Sequence, residues 1–206
     1  MIIRDISMTI HPHMTVYKNK ENKQPLFLKS ADFETHGVYE TDITMNLHTG
    51  THIDFPLHTL KEGHNSDGHP LSTFIGTAKV FDLSQIDECI SKADIEQLNI
   101  QKDDFILFKT RNSFRDDFDF NFVYLDESAA QYLANKKIRG VGIDSLGIER
   151  NQPNHPTHDT LLGAAIIILE GLRLKDISEN NYEFICLPLK IAHVEALPVR
   201  AILIEK

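Results

Sequence analysis

The chain has 206 residues, 41% of them hydrophobic and 25% charged, an ordinary globular composition that excludes large-scale disorder. With 30 acidic against 21 basic residues the net charge is -9, and no Lys or Arg run is interleaved with aromatics, which excludes a nucleic-acid surface. Residues 1–6 lack the features of a signal peptide and the apolar runs are too short to span a bilayer, so a cytoplasmic location away from membranes is expected, and Cys89 and Cys186 form no CxxC pair.

At this length one domain over 1–206 is expected. Residues 2–6 read as a short strand, followed by a polar, irregular arm from about 7 to 40. Within the arm His11 and His13 flank Pro12, and the basic tract Lys18-Asn19-Lys20-Glu21-Asn22-Lys23, broken by Glu21, reads as a solvated loop.

The most informative segment comes next, Asn46-Leu47-His48-Thr49-Gly50-Thr51-His52-Ile53-Asp54-Phe55-Pro56-Leu57-His58. Its three histidines and its aspartate all stand at even positions. Side chains at i, i+2 and i+4 of a strand share a face, so a strand ending near Pro56 would aim His48, His52, Asp54 and His58 into one pocket. A helix would set Asp54 apart, and Gly50 and Pro56 oppose one. Neutral imidazoles with a carboxylate suit zinc, manganese or iron. The bland alternative is a polar face in solvent. Leu47, Ile53, Phe55 and Leu57 on the opposite face argue against it.

Residues 61–70 hold two glycines and a proline and read as a loop that leaves His64 and His69 in solvent. Strands are expected at 78–83, 105–110, 140–144, 166–169, 184–189 and 201–204. Helices are expected at 92–98, capped by Ser91, and at 127–136, capped by Asp126. Residues 111–121 are charged and aromatic without clear periodicity. Strands outnumber helices, and the β/α alternation in the middle gives a mixed, β-rich α/β domain.

His158 precedes an apolar run that closes on Glu170. A carboxylate ending a buried strand is costly unless a cation or donors meet it. The other reading is an exposed strand end beside Gly171. Asp144 ends another apolar strand; it orients a ligand histidine from behind or caps a turn with Ser145.

His48-Thr-Gly-Thr-His52-Ile-Asp54-Phe-Pro56-Leu-His58 resembles the HxGTHxDxPxH signature of the cyclase family, which includes bacterial kynurenine formamidases and isatin hydrolases. The likeness continues through Phe74-Ile75-Gly76, Gly140-Val-Gly-Ile-Asp144, His158, Glu170-Gly171-Leu172 and Leu187-Pro188-Leu189 to Pro198-Val-Arg200. It implies a swivelling β/β/α fold and a metal-dependent hydrolase that cleaves an amide, formamide or lactam C–N bond with a metal-bound hydroxide. It also implies His48, His52 and Asp54 around one metal, Asp54, His158 and Glu170 around a second, and His58 as the proton shuttle. Two zinc ions per chain are the implied cofactor, with manganese as the alternative, and the implied assembly is a homodimer or homotetramer acting on a small molecule. Isatin hydrolases lack the glutamate of the second site, so Glu170 points to the dinuclear type. The family's N-terminal Trp-Pro-Gly-Asp-like segment is replaced here by Met14-Thr15-Val16-Tyr17-Lys18-Asn19, which leaves the substrate open.

Two rivals use the same residues. His52, Asp54 and His158 fit the facial triad of a non-haem iron oxygenase. That triad has no use for His48, His58 or Glu170, and Ile168 stands ten residues after His158, where an Arg or Ser would bind an oxo-acid. A non-catalytic metal-binding protein would keep the ligands without needing His58.

Overall fold

Alternation along the central strands sends two sets of apolar side chains to opposite faces of one sheet. The computed structural model describes residues 1–205. In chain order the first half holds β1 (Ile2–Asp5), β2 (Leu26–Ala31), α1 (Phe33–His36), β3 (Glu40–Thr44), β4 (His52–Asp54), β5 (Ile75–Asp82), β6 (Cys89–Ile90) and α2 (Lys92–Ile95). The second half holds β7 (Phe105–Lys109), β8 (Tyr124–Leu125), α3 (Glu127–Lys136), β9 (Gly140–Ile143), α4 (Pro156–Gly163), β10 (Ile167–Glu170), β11 (Asn180–Ile185), β12 (Ala196–Pro198) and β13 (Ile202–Glu205).

Nine strands form the main sheet in the order β1-β13-β11-β5-β7-β9-β10-β4-β12. β5, β7, β9 and β10 are parallel, whereas β11, β13, β4 and β12 join antiparallel. The sheet curls around one core containing Ile53, Phe55, Phe105, Leu107, Leu169 and Phe184. Its other face carries Ile106, Phe108, Val141, Ile143 and Ile168, which pack with Leu133 of α3 and Leu161 of α4. β9 has glycines on the curled side for lack of room: a Cβ on Gly140 would stand 2.4 Å from the Phe105 ring, and one on Gly142 would stand 2.7 Å from Leu107. This is the mixed α/β, swivelling β/β/α arrangement.

Most expected elements lie where the pattern put them, with three corrections. The arm over 7–40 is not wholly irregular, because β2 and α1 lie within it and β2 pairs with β3 as a separate two-stranded sheet. The strand expected at 184–189 runs Asn180–Ile185; Pro188, with no N–H to give a ladder, makes only an isolated bridge to Val199. α4 was not expected. Pro156 at its first turn was an available signal.

The site is positioned by the antiparallel ladder between β4 and β10. His52 stands directly opposite Glu170, and Asp54 opposite Ile168. On its other edge β4 pairs with β12, where Asp54 faces Ala196. A strand paired on both sides holds its residues at fixed spacing.

Candidate metal centre

Only His52–Asp54 is strand, so the expected strand ending near Pro56 is cut short, and turns on either side of it bring His48 and His58 back to the same point. Gly50 adopts φ +71°, which turns the chain after His48. The turn is pinned where Thr51 Oγ1 donates to the Gly171 carbonyl at 2.6 Å. The crossing leaves no space for a side chain, since a Cβ on Gly171 would lie 2.5 Å from the Gly50 carbonyl oxygen. After Asp54, Pro56 opens a single 3-10 turn, Pro56–His58, that folds His58 over the site.

Asp54 lies at the centre and is fully buried. Its Oδ1 is 2.9 Å from His48 Nδ1 and 3.5 Å from His52 Nε2. Its Oδ2 is 3.7 Å from His158 Nε2 and 3.9 Å from His58 Nε2. Glu170 closes the ring, 3.4 Å from His52 Nε2 and 3.5 Å from His158 Nε2, while its Oε1 also accepts the Ile148 N–H at 2.6 Å. All six expected residues therefore meet. Three groups of donor atoms each lie within 4.8 Å of one another: His48, Asp54 and His58; His52, Asp54 and Glu170; and Glu149, His155 and His158. They divide the ring differently from the pairing that the resemblance implies: Asp54 is common to the first two, and His158 falls in the third.

The donor set fits divalent cations. Both Asp54 oxygens and His52 Nε2 are buried without a hydrogen-bond partner, and leaving such atoms unsatisfied costs several kcal/mol. Ring tautomers are also set. His52 Nδ1 lies 2.9 Å from the Gly50 carbonyl, so its proton belongs there and Nε2 faces the centre as a bare donor. Burial opposes ionisation of Asp54, but His158 and His48 hold its carboxyl well below the usual carboxylate range. Burial and Asp54 also oppose ionisation of Glu170, yet His158 and His52 push it down to about 2. Burial resists protonation of His158, but Asp54, Glu149 and Glu170 outweigh it and raise it well above the imidazole range. Two buried, ionised carboxylates thus demand positive charge at their centre. His58 differs: burial lowers its pKa, and its side chain keeps 31% of its surface exposed toward the cleft.

Two neighbours escaped sequence reasoning. Glu149 is buried; its Oε2 accepts the backbone N–H groups of Thr157 and His158 at 2.9 and 3.1 Å and lies 3.4 Å from His158 Nδ1. Its Oε1 lies 2.7 Å from His155 Nδ1. One carboxylate therefore both caps the start of α4 and backs the ring that turns Nε2 inward. No local pattern announces it, because the contacts span an irregular turn. The second neighbour, Glu195, reaches His48 Nε2 at 3.4 Å.

Asp144 does not orient a ligand histidine. It accepts from the Thr110 N–H and hydroxyl, the Ser113 N–H and hydroxyl, and Asn112 Nδ2, at 2.6 to 3.3 Å. Strand β9 ends beside β7, so its carboxylate meets the turn that follows β7. His64 and His69 stand outside the ring; His69 packs 4.9 Å from the Phe55 ring, partly buried and not solvated as expected. A cleft of about 350 Å³ opens onto the centre, bounded by His48, His58, His158 and Glu170 on its floor and by Tyr17, Lys18, Lys23 and His155 nearer its mouth.

The model of the family named Cyclase matches residues 4–150. A kynurenine formamidase of Salinibacter ruber is 31% identical over 206 residues, covering 98% of this chain and 97% of its own. Among solved structures, a "predicted metal-dependent hydrolase" of Bacillus stearothermophilus is 49% identical with a TM-score of 0.91, covering 98% of this chain and 97% of that one. An isatin hydrolase A of Labrenzia aggregata is 25% identical with a TM-score of 0.87, covering 98% and 93%.

Replacing Glu149 with Ala is expected to weaken metal binding by roughly 10–100-fold, the usual effect of removing a group that orients a ligand histidine, as read by chelator competition. Unchanged affinity would mean that α4 holds His158 unaided. Replacing Asp144 with Ala strands several buried donors and should lower unfolding free energy by about 3 kcal/mol or more while leaving bound-metal stoichiometry intact, checked by denaturant titration and elemental analysis.

Proposed function

Because this chain belongs to the cyclase family, we propose that it is a metal-dependent hydrolase of amide, formamide or lactam C–N bonds in a small molecule. The observation that carries the reading is Asp54, buried with both oxygens unbonded. Four imidazole nitrogens lie within 3.9 Å of it. His48, His52, Asp54, His158 and Glu170 are the residues that would hold two divalent ions, zinc by preference or manganese, with Asp54 shared. Bound there, such ions supply a nucleophilic water at neutral pH and a Lewis acid for the carbonyl oxygen.

The chain's own residues do the rest. Asp54 and Glu170 fix negative charge at the bottom of the cleft, and the buried β4–β10 ladder keeps that charge from shifting as the reaction proceeds. His58 borders both the ring and the cleft. Unprotonated at neutral pH, it takes the proton released as water adds to the carbonyl carbon. It then gives that proton to the amine nitrogen as the C–N bond breaks, so that the products are a carboxylic acid and an amine. His48 and His158 also line the cleft, but His58 is the most exposed of the four ring histidines, 31% against 13%, 8% and 1% for His48, His158 and His52. His48 is also a ring member with a carboxylate on each nitrogen, which favours a ligand role for it.

The kynurenine formamidase and isatin hydrolase relatives make N-formylkynurenine and isatin the first substrates to try. An oxygenase reading is less economical, since His48 and Glu170 would have no part in a facial triad. A homodimer or homotetramer belongs to the same proposal. The β2–β3 unit offers exposed Leu26, Leu28 and Ile43 for such contact.

A screen of formamides, lactams and esters, run with added zinc or manganese, should find hydrolysis and about two ions per chain. Oxygen uptake with an oxo-acid and no hydrolysis would overturn the reading. Exchanging His58 for Ala should leave metal content intact and cut turnover by roughly 10²–10⁴-fold; undiminished turnover would remove it from the proton path.

A further inference from the structure

The basic tract of the arm, expected to be a solvated loop, folds against the cleft. Tyr17–Asn19 and Glu21–Lys23 form short 3-10 turns. Tyr17, Lys18 and Lys23 then line the same 350 Å³ space as His48, His58 and Glu170. The Lys18 and Lys23 ammonium groups lie 5.2 and 5.5 Å from the Tyr17 ring centroid. Lys18 is exposed, whereas Lys23 is partly buried. Among the described residues neither ammonium has a carboxylate or hydrogen-bond partner.

That combination is unusual. This chain carries an excess of nine negative charges, and an ammonium held half out of water without a partner is disfavoured. Burial, helped by nearby Lys20, lowers the Lys23 pKa, and the attraction of Glu170 and Asp54 opposes this. Once cations occupy the ring those carboxylates no longer serve Lys23, and a negative group arriving in the cleft would. The backbone here is also specialised: Lys18 and Asn19 both take left-handed conformations, φ 56° and 52°, which cost non-glycine residues about 1 kcal/mol or more each. The wall shared with Asn151, Gln152 and His155 carries polar side chains. Cleft volume suits a small molecule.

Resting on the hydrolase reading, we propose that the substrate is a small amide bearing a carboxylate remote from the scissile bond, and that Lys23 is the residue that meets this carboxylate. Lys18 adds to the field at the mouth, and the positive wall draws anions in. The scissile carbonyl lies toward the histidine ring and the carboxylate toward the arm, which fixes the direction in which the substrate enters.

The test uses metal-loaded protein and a matched pair of similar size, 3-formamidobenzoate and its neutral twin 3-formamidobenzamide. The wild type should favour the carboxylate by about tenfold in kcat/KM, the scale of one charge-assisted contact. Added salt should shrink the preference. Lys23→Met should abolish it with the loss in KM, and Lys23→Arg should restore most of it. Hydrolysis of both compounds without preference, or a preference that survives in Lys23→Met, would overturn the proposal and leave the hydrolase reading standing. If neither compound is cleaved, the hydrolase reading falls on this pair, and calorimetric binding decides the rest. The same preference in Kd, lost in Lys23→Met, supports an anion-binding cleft, and equal affinities refute it.

Discussion

A carboxylate buried in the interior governs this molecule. Asp54 is placed in the interior by the middle strand of an antiparallel trio, with β10 on one side and β12 on the other. Its ionisation there is defensible only if positive charge or polarised N–H groups converge on both oxygens. The surrounding structure supplies that convergence from four separate places: His48 on the turn before β4, His52 on β4 itself, His58 on the 3-10 turn after it and His158 on helix α4. Remove the central charge and these segments lose the reason for their close approach.

Because so many polar groups share one buried volume, their individual properties are not separable. Glu170 draws protons toward His52 and His158, and those histidines in turn hold Glu170 ionised. Glu149 extends the chain outward by setting the back of His158 and the start of α4 with one carboxylate. Ligand position, helix capping and ring tautomer are thus a single interaction seen from three sides. Asp144 is the contrasting case. It is equally buried but fully bonded to Thr110, Asn112 and Ser113, so it calls for no cation and serves the fold.

The parity of His48, His52, Asp54 and His58 picked out four residues that do meet, by a reason only half correct. Alternation accounts for His52 and Asp54, which do share a strand face. His48 and His58 arrive through turns at Gly50 and Pro56, the same residues whose presence argued against a helix. Glu170 was legible because an acid at the end of an apolar run has to be explained. Core strands such as Phe105–Lys109 were legible for a similar reason, since an uninterrupted apolar run has few places to go. Glu149 was not legible. Its partners are Thr157 and His158, reached across residues in left-handed conformations at Asn151, Asn154 and His155, where no periodicity relates sequence to direction.

Centre and cleft are built by different means, and that division has a functional consequence. The ring rests on ladder hydrogen bonds and a close-packed core, where a small displacement would disturb every donor at once. The mouth rests on the arm and on the turn before α4, segments without a ladder to keep in register, in which residues such as Lys18 and His155 take left-handed conformations. Side chains there are free to change charge or size without moving Asp54 relative to Glu170. Chemistry at the carbonyl is therefore constrained by β4 and β10, while in the proposed reading selection among amides falls to Lys18 and Lys23 of the arm, in and just after the 14–19 stretch where this chain departs from the family pattern. On that reading an exchange confined to the arm would change which molecule enters and leave unaltered what is done to it.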